Sequence, residues 1–166
     1  MDIHSIAQEQ KEALKQKGIS LIEELEDLDR PWGGFLVVDP ADTKTFIAEF
    51  FSDAKFSFNP KLDLQPKILM VLAEQRLSWQ YHHRRAEYWR AVDASVGYYK
   101  SENDEMGDLQ ILEPGEFIKL DVQERHRLVG LGEVGIVAEI WQHTDPDQPS
   151  TEADIVRVED DYSRHS

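Results

Sequence analysis

From residue 30 onward, short runs rich in β-branched and aromatic residues recur with turn-forming residues between them, and this punctuation constrains the fold more than any other feature. The runs fall at 35–38, 45–51, 67–73, 87–99, 108–112, 116–120, 126–129 and 134–141, with turn composition at 102–107 and 113–115. No long helical pattern alternates with them, which disfavours a parallel α/β sheet and predicts an all-β sandwich or barrel. Residues 52–66, with Pro60 and Pro66, read as a loop draped over the barrel mouth. A second loop is expected at 144–151, with order returning over 154–162.

The N-terminal segment is different. Ile3, Ile6, Ala7, Gln10 and Leu14 form a helical stripe that Gly18 stops. The division expected is a helical extension over 1–29, suited to covering a sheet or a partner, and a β domain over 30–166. The 166 residues, 40% of them apolar and four of them Trp, suffice for one core. A net charge of −15 argues against nucleic acid or an anionic membrane as partner. With no cysteine there is no disulfide and no thiolate ligand, and the N-terminus lacks a signal-peptide pattern, so the cytoplasm is the expected compartment.

Within Arg76–Trp89, Gln80 and His82 stand two apart and so share one face of a strand; Glu87 joins them if the chain turns and pairs, and His126 arrives from elsewhere. An amide, two imidazoles and a carboxylate make a nitrogen and oxygen site for a divalent metal; zinc suits it first, with manganese, iron or nickel compatible. Arg76, Arg84, Arg85 and Arg90 crowd the same stretch of an acidic chain, and arginine suits bidentate phosphate recognition. An exposed salt bridge is the competing reading for each. Trp79, Trp89 and Trp141 read as core.

Several motifs in fixed order resemble the cupin family of type II phosphomannose isomerases. They are Arg30-Pro31-Trp32-Gly33; Leu77-Ser78 followed by Gln80-x-His82-x-Arg84-Arg85-x-Glu87-x-Trp89; His126-Arg127-Leu128; and Asp154-Ile155-Val156-Arg157 with Asp160-x-Tyr162-Ser163-Arg164. The resemblance implies a double-stranded β-helix, or jelly roll, and interconversion of mannose 6-phosphate and fructose 6-phosphate with a divalent metal. Residue by residue, it implies metal ligation by Gln80, His82, Glu87 and His126, and places Arg85 and Arg157 at the substrate. Arg84 stands where the family has a second histidine, the family's proline and glycine before His126 are absent, its final Tyr-Gly-Arg is Tyr162-Ser163-Arg164, and its Glu-Val-Gln appears one residue longer as Glu139 to Gln142.

An aldose-ketose isomerase moves a proton between adjacent carbons, so it needs a base, an electrophile and a grip on phosphate. His83, Glu139, Lys67 and Lys119 are chemically able bases, with Arg157, Glu139 and Lys67 taken as the catalytic set and Arg85, Arg84 and His83 as the substrate-binding set. The rival expectation is a cupin that binds a sugar phosphate without turnover; a dioxygenase, which more often uses three histidines, fits less well. A homodimer to which residues 1–28 contribute is expected.

Overall fold

The computed structural model describes residues 2–54 and 64–164. Its longest strand explains the architecture. Gly135–His143 is buried along almost all its length, because its two faces enter two different hydrophobic clusters. Ile136, Ala138 and Ile140 belong to an outer cluster with Ile6, Leu14, Phe46 and Phe51, whereas Val137 belongs to an inner one with Leu69, Trp89, Ala91, Leu120 and Leu128. Period-2 alternation thus sorts one strand between two cores.

The strands are β1 (Asp27–Arg30), β2 (Gly33–Val37), β3 (Leu64–Val71), β4 (Trp79–Tyr81), β5 (Arg85–Ala91), β6 (Val96–Ser101), β7 (Gln110–Leu112), β8 (Phe117–Leu120), β9 (Arg125–Val129), β10 (Gly135–His143) and β11 (Val156–Glu159). They form two antiparallel sheets ordered β1-β2-β3-β10-β5-β8 and β11-β4-β9-β6-β7. The inner cluster lies between them, and the whole is the all-β jelly roll expected. Register on the larger sheet aligns Val37, Lys67, Glu139, Trp89 and Ile118 in one row across five strands. The neighbouring row pairs Trp141 with Glu87, and the next pairs His143 with Arg85.

Two helices cover the outer face of the larger sheet. α1 (Ile3–Gln16) is capped by the Asp2 carboxylate, which accepts from the Ser5 N–H at 2.8 Å, and it lays Ile6, Ala7 and Leu14 on the chain's own sheet. Residues 2–29 are therefore part of the fold, contributing helix, a 3-10 turn and most of edge strand β1. Residues 45–51, expected as a strand, lie instead in and just after α2 (Thr43–Phe50). Phe46 and Phe50, four apart, meet on one helical face with ring centroids 4.8 Å apart, so packing overrides strand propensity there. The run expected at 87–99 is two strands, β5 and β6, joined through Asp93 and Ser95. Of the expected 52–66 loop, residues 55–63 lie outside the described residues and 64–66 begin β3. No helix of the described residues is long and apolar enough to cross a membrane.

The Pro31-Trp32 turn between β1 and β2 depends on close approach. Gly33 has φ 146°, and a Cβ there would stand 2.0 Å from the Met70 carbonyl oxygen. Elsewhere, Gln123 and Ser163 adopt left-handed φ of 63° and 56°, a conformation that costs a non-glycine residue roughly 1–2 kcal/mol. Gly33→Ala is expected to destabilise the protein by about 3 kcal/mol or more, since backbone and not a flexible side chain must move. Ser163→Gly is expected to stabilise it by roughly 0.5 kcal/mol, the relief exceeding the added chain entropy. Urea denaturation monitored by tryptophan fluorescence checks both.

Candidate metal centre and cleft

Strand pairing builds the site. Gln80 on β4 is the register partner of His126 on β9 and of Arg157 on β11, so the three side chains share one row of the smaller sheet. Glu87 faces them from β5, and His82 follows directly after β4. His82, Glu87 and His126 are all buried, with one ligand atom from each lying within 4.8 Å of the others. The two Nε2 atoms are 3.2 Å apart, and Glu87 brings Oε1 to 3.1 Å of His82 Nε2 and Oε2 to 3.5 Å of His126 Nε2.

The other ring nitrogens decide what this convergence means. His82 Nδ1 is 2.6 Å from the Asp154 carbonyl oxygen, and His126 Nδ1 is 2.8 Å from that of Glu124. A carbonyl only accepts, so each Nδ1 carries the proton and, in the neutral ring, each Nε2 presents a lone pair. Burial lowers the His82 pKa and favours the neutral form. Burial opposes ionisation of Glu87, but His82, Arg85 and His126 around it hold its pKa well below the usual carboxylate range. Two lone pairs and a carboxylate meeting at one point fit a cation. Two nitrogen ligands about 2.0–2.1 Å from one ion at a tetrahedral angle stand roughly 3.3 Å apart, close to the separation found.

Gln80 is the fourth donor only after its amide turns over. Its Oε1 accepts from the Ser78 hydroxyl at 2.5 Å, while its Nε2 lies 3.4 Å from His82 Nε2. A hydroxyl can accept as well as donate, so Ser78 supports either orientation.

A shell of buried polar groups holds these donors. Arg85 donates from Nε to Glu87 Oε1 at 2.8 Å and from Nη1 to Ser150 Oγ and the Thr151 carbonyl, and its Nη2 lies 3.3 Å from His82 Nε2. Asp154 accepts from the N–H groups of His83 and Arg84 at 3.0 Å and from the Ser150 hydroxyl at 2.6 Å. Burial would raise its pKa, but those donors outweigh it and hold the carboxyl below its usual range. The segment 150–154 is thereby pinned to the turn that carries His82.

Beside the candidate metal donors opens a narrow cleft of about 70 Å³, smaller than the roughly 300–1,000 Å³ of small-molecule sites. Five basic side chains line it, Arg30, Lys67, Arg85, Arg157 and Arg164, against the carboxylates Glu87, Glu139 and Glu152. The local balance is thus opposite in sign to that of the whole chain. Glu139 is fully enclosed and accepts the indole N–H of Trp89 at 2.7 Å and of Trp141 at 2.8 Å. Burial, with the negative charge of Glu87, pushes its pKa up to about 8.

Not every expected residue is here. His83 is exposed and packs edge-on against Tyr81, because the turn after β4 sends successive side chains to opposite sides. Arg84 lies 3.9 Å from Asp154, and neither His83 nor Arg84 lines the cleft. Arg76 pairs with Asp161 and Arg90 with Asp53, as surface salt bridges, and Lys119 pairs with Asp121. Glu139 and Trp141 face inward, while Gln142 turns out to accept from the Tyr88 hydroxyl at 3.3 Å. Sequence reasoning missed Arg30, Arg164, Ser150, Glu152 and Asp154 as site residues. Three of them had a signal, since Arg30, Asp154 and Arg164 bound the flanking motifs.

Asp154→Ala is expected to cost about 2–4 kcal/mol, because three donors lose their acceptor. The contribution of this carboxylate is present above its unfolded pKa and is lost as pH falls through the depressed folded one, so the stability advantage of wild type over Asp154→Asn should shrink as pH falls below about 4. Urea titrations at a series of pH values check this.

No family model matches the sequence. No curated protein matches it either. Among solved structures, the capsular polysaccharide assembling protein CapF from Staphylococcus aureus matches with a TM-score of 0.53 at 16% identity, over 84% of this chain and 34% of that one. CapF with the inhibitor 3-isopropenyl-tropolone gives the same TM-score and identity, over 84% and 35%. A conserved protein with a double-stranded beta-helix domain from Klebsiella pneumoniae matches with a TM-score of 0.46 at 14% identity, over 57% of this chain and 74% of that one. The chain spans about a third of the length of CapF. At these identities the likeness shows the fold alone, a double-stranded β-helix or jelly roll of two antiparallel sheets.

Proposed function

We propose that this chain is a metal-dependent aldose-ketose isomerase acting on a phosphosugar, with mannose 6-phosphate and fructose 6-phosphate as the pair. The observation that carries the reading is the convergence of His82, His126 and Glu87, the last of which lines a cleft that also holds Arg30, Lys67, Arg85, Arg157 and Arg164. With Gln80 turned over, these residues would hold a divalent ion, zinc first by ligand type. When bound, it would act as a Lewis acid on the carbonyl and hydroxyl oxygens of the sugar.

The protein's own groups supply the rest. Glu139 has a proton affinity near neutral pH, as a residue must that takes a proton from one carbon and returns it to the next. The two indoles fix its carboxyl plane. Lys67, its register partner, places positive charge beside it and favours the ionised form. Arg157, with Arg30 and Arg164, brings the charge that a phosphate dianion and a developing enediolate require. Arg85 acts through Glu87, the Ser150 hydroxyl and the Thr151 carbonyl, a positioning role.

A second reading, binding of a sugar phosphate without turnover, draws on one observation. Both oxygens of Glu139 accept an indole N–H, so proton transfer has to share or break one of those bonds.

Elemental analysis of the purified protein is expected to find one divalent ion per chain, lost in His126→Ala. Metal-loaded protein mixed with fructose 6-phosphate should form mannose 6-phosphate by NMR, and Glu139→Gln should reduce turnover by roughly 10²–10⁴-fold with metal content unchanged. No turnover of several phosphosugars by metal-loaded protein, with binding retained, would establish the second reading instead.

A further inference from the structure

Lys67 is buried to 2% of its surface, an unusual place for an ammonium. Its Nζ lies 3.7 Å from the centroid of Trp141 and 4.4 Å from that of Phe35, and it is paired with the carboxylate of Glu152. Glu152 comes from a different kind of place. It sits in the 150–154 segment with its side chain 53% exposed, and its other oxygen is 3.8 Å from Arg30 Nη2. A carboxylate with open solvent beside it thus reaches back into the cleft to rest between two cations.

The surroundings are built for more negative charge than one carboxylate brings. Burial, with repulsion from Arg164 and Arg30, lowers the Arg157 pKa, while Asp160 and Glu152 act in the opposite sense. Around Glu152 the backbone is held firmly: Arg85 donates to the Thr151 carbonyl at 3.0 Å, and the Asp154 N–H donates to the same carbonyl at 3.0 Å. Displacing the Glu152 carboxylate therefore requires rotation of one side chain and no loop opening.

We propose that Lys67, Arg30 and Arg157 form the anion subsite of this cleft, that its ligand is the dianionic phosphate of a phosphomonoester, and that Glu152 is an internal competitor occupying the place of that phosphate. The inference rests on the reading of the cleft as a phosphosugar site and names which residues receive the phosphate and what they must release. Binding exchanges one carboxylate for a dianion on the same cations, so affinity is set by the difference between the two. A site filled by its own side chain nine-tenths of the time binds about tenfold more weakly than the vacant site.

Isothermal titration of metal-free, chelator-dialysed protein with inorganic phosphate tests this without any turnover. Glu152→Gln is expected to bind phosphate roughly tenfold more tightly than wild type. Lys67→Met should bind at least tenfold more weakly, and Arg30→Gln should weaken binding as well should Lys67→Met not fold by circular dichroism. Affinity in Glu152→Gln equal to or weaker than that of wild type overturns the proposal, as does phosphate binding indifferent to both Lys67 and Arg30. Absence of isomerase activity leaves these outcomes intact; an active isomerase blind to phosphate at Lys67 and Arg30 overturns this inference alone.

Discussion

Two imidazoles are obliged to aim their lone pairs at the same point, and the rest of the site follows from that obligation. His82 and His126 each spend the Nδ1 proton on a backbone carbonyl, Asp154 and Glu124 respectively, which leaves Nε2 facing Nε2 across 3.2 Å. Such an arrangement is unfavourable unless positive charge lies between or beside the nitrogens. Glu87 adds a third acceptor to the same point, and Arg85 bridges from Glu87 to the 150–151 segment. The site is thus a concentration of acceptors held in place by bonds made behind it, a donor set that could hold a cation.

Strand register turns this local chemistry into a cleft. Because directly opposed residues of an antiparallel pair share a face, a single row delivers Lys67, Glu139 and Trp89 side by side, and the next delivers Trp141 and Glu87. The opposite sheet delivers Arg157, Gln80 and His126 in one row of its own. The apolar end of the same barrel, with Val71, Ala91, Val96 and Leu128, carries the packing energy that keeps the charged end in register. The outer helices serve the same purpose: by burying the far face of β3 and β10, they allow those strands to be apolar on one side and to present Lys67 and Glu139 on the other.

The departures from the family pattern have a physical reading. Where the motif would end in Tyr-Gly-Arg, Ser163 stands at φ 56°, and in the turn before His126, Gln123 stands at φ 63°. Both turns are made without glycine, at a local cost in backbone strain. Arg84, in place of a histidine, lines no part of the cleft and lies 3.9 Å from Asp154.

Alternation and turn composition by themselves determined that the chain is all-β with a helical start, and His82, Glu87 and His126, which the sequence reading grouped with Gln80, lie close together. Local pattern carries such information because face and period are properties of neighbouring residues. The same local pattern misread 45–51 as a strand, since Phe46 and Phe50 suit either period and only the sheet beneath them selects the helix. What tertiary structure alone decided was allegiance. It put Arg85 on Glu87, Arg76 and Arg90 on surface carboxylates, His83 in solvent, and Glu152 on Lys67, which lies 85 residues away in the chain. Charge has no period, and which opposite charge a side chain meets depends on strands that become neighbours only when the barrel closes.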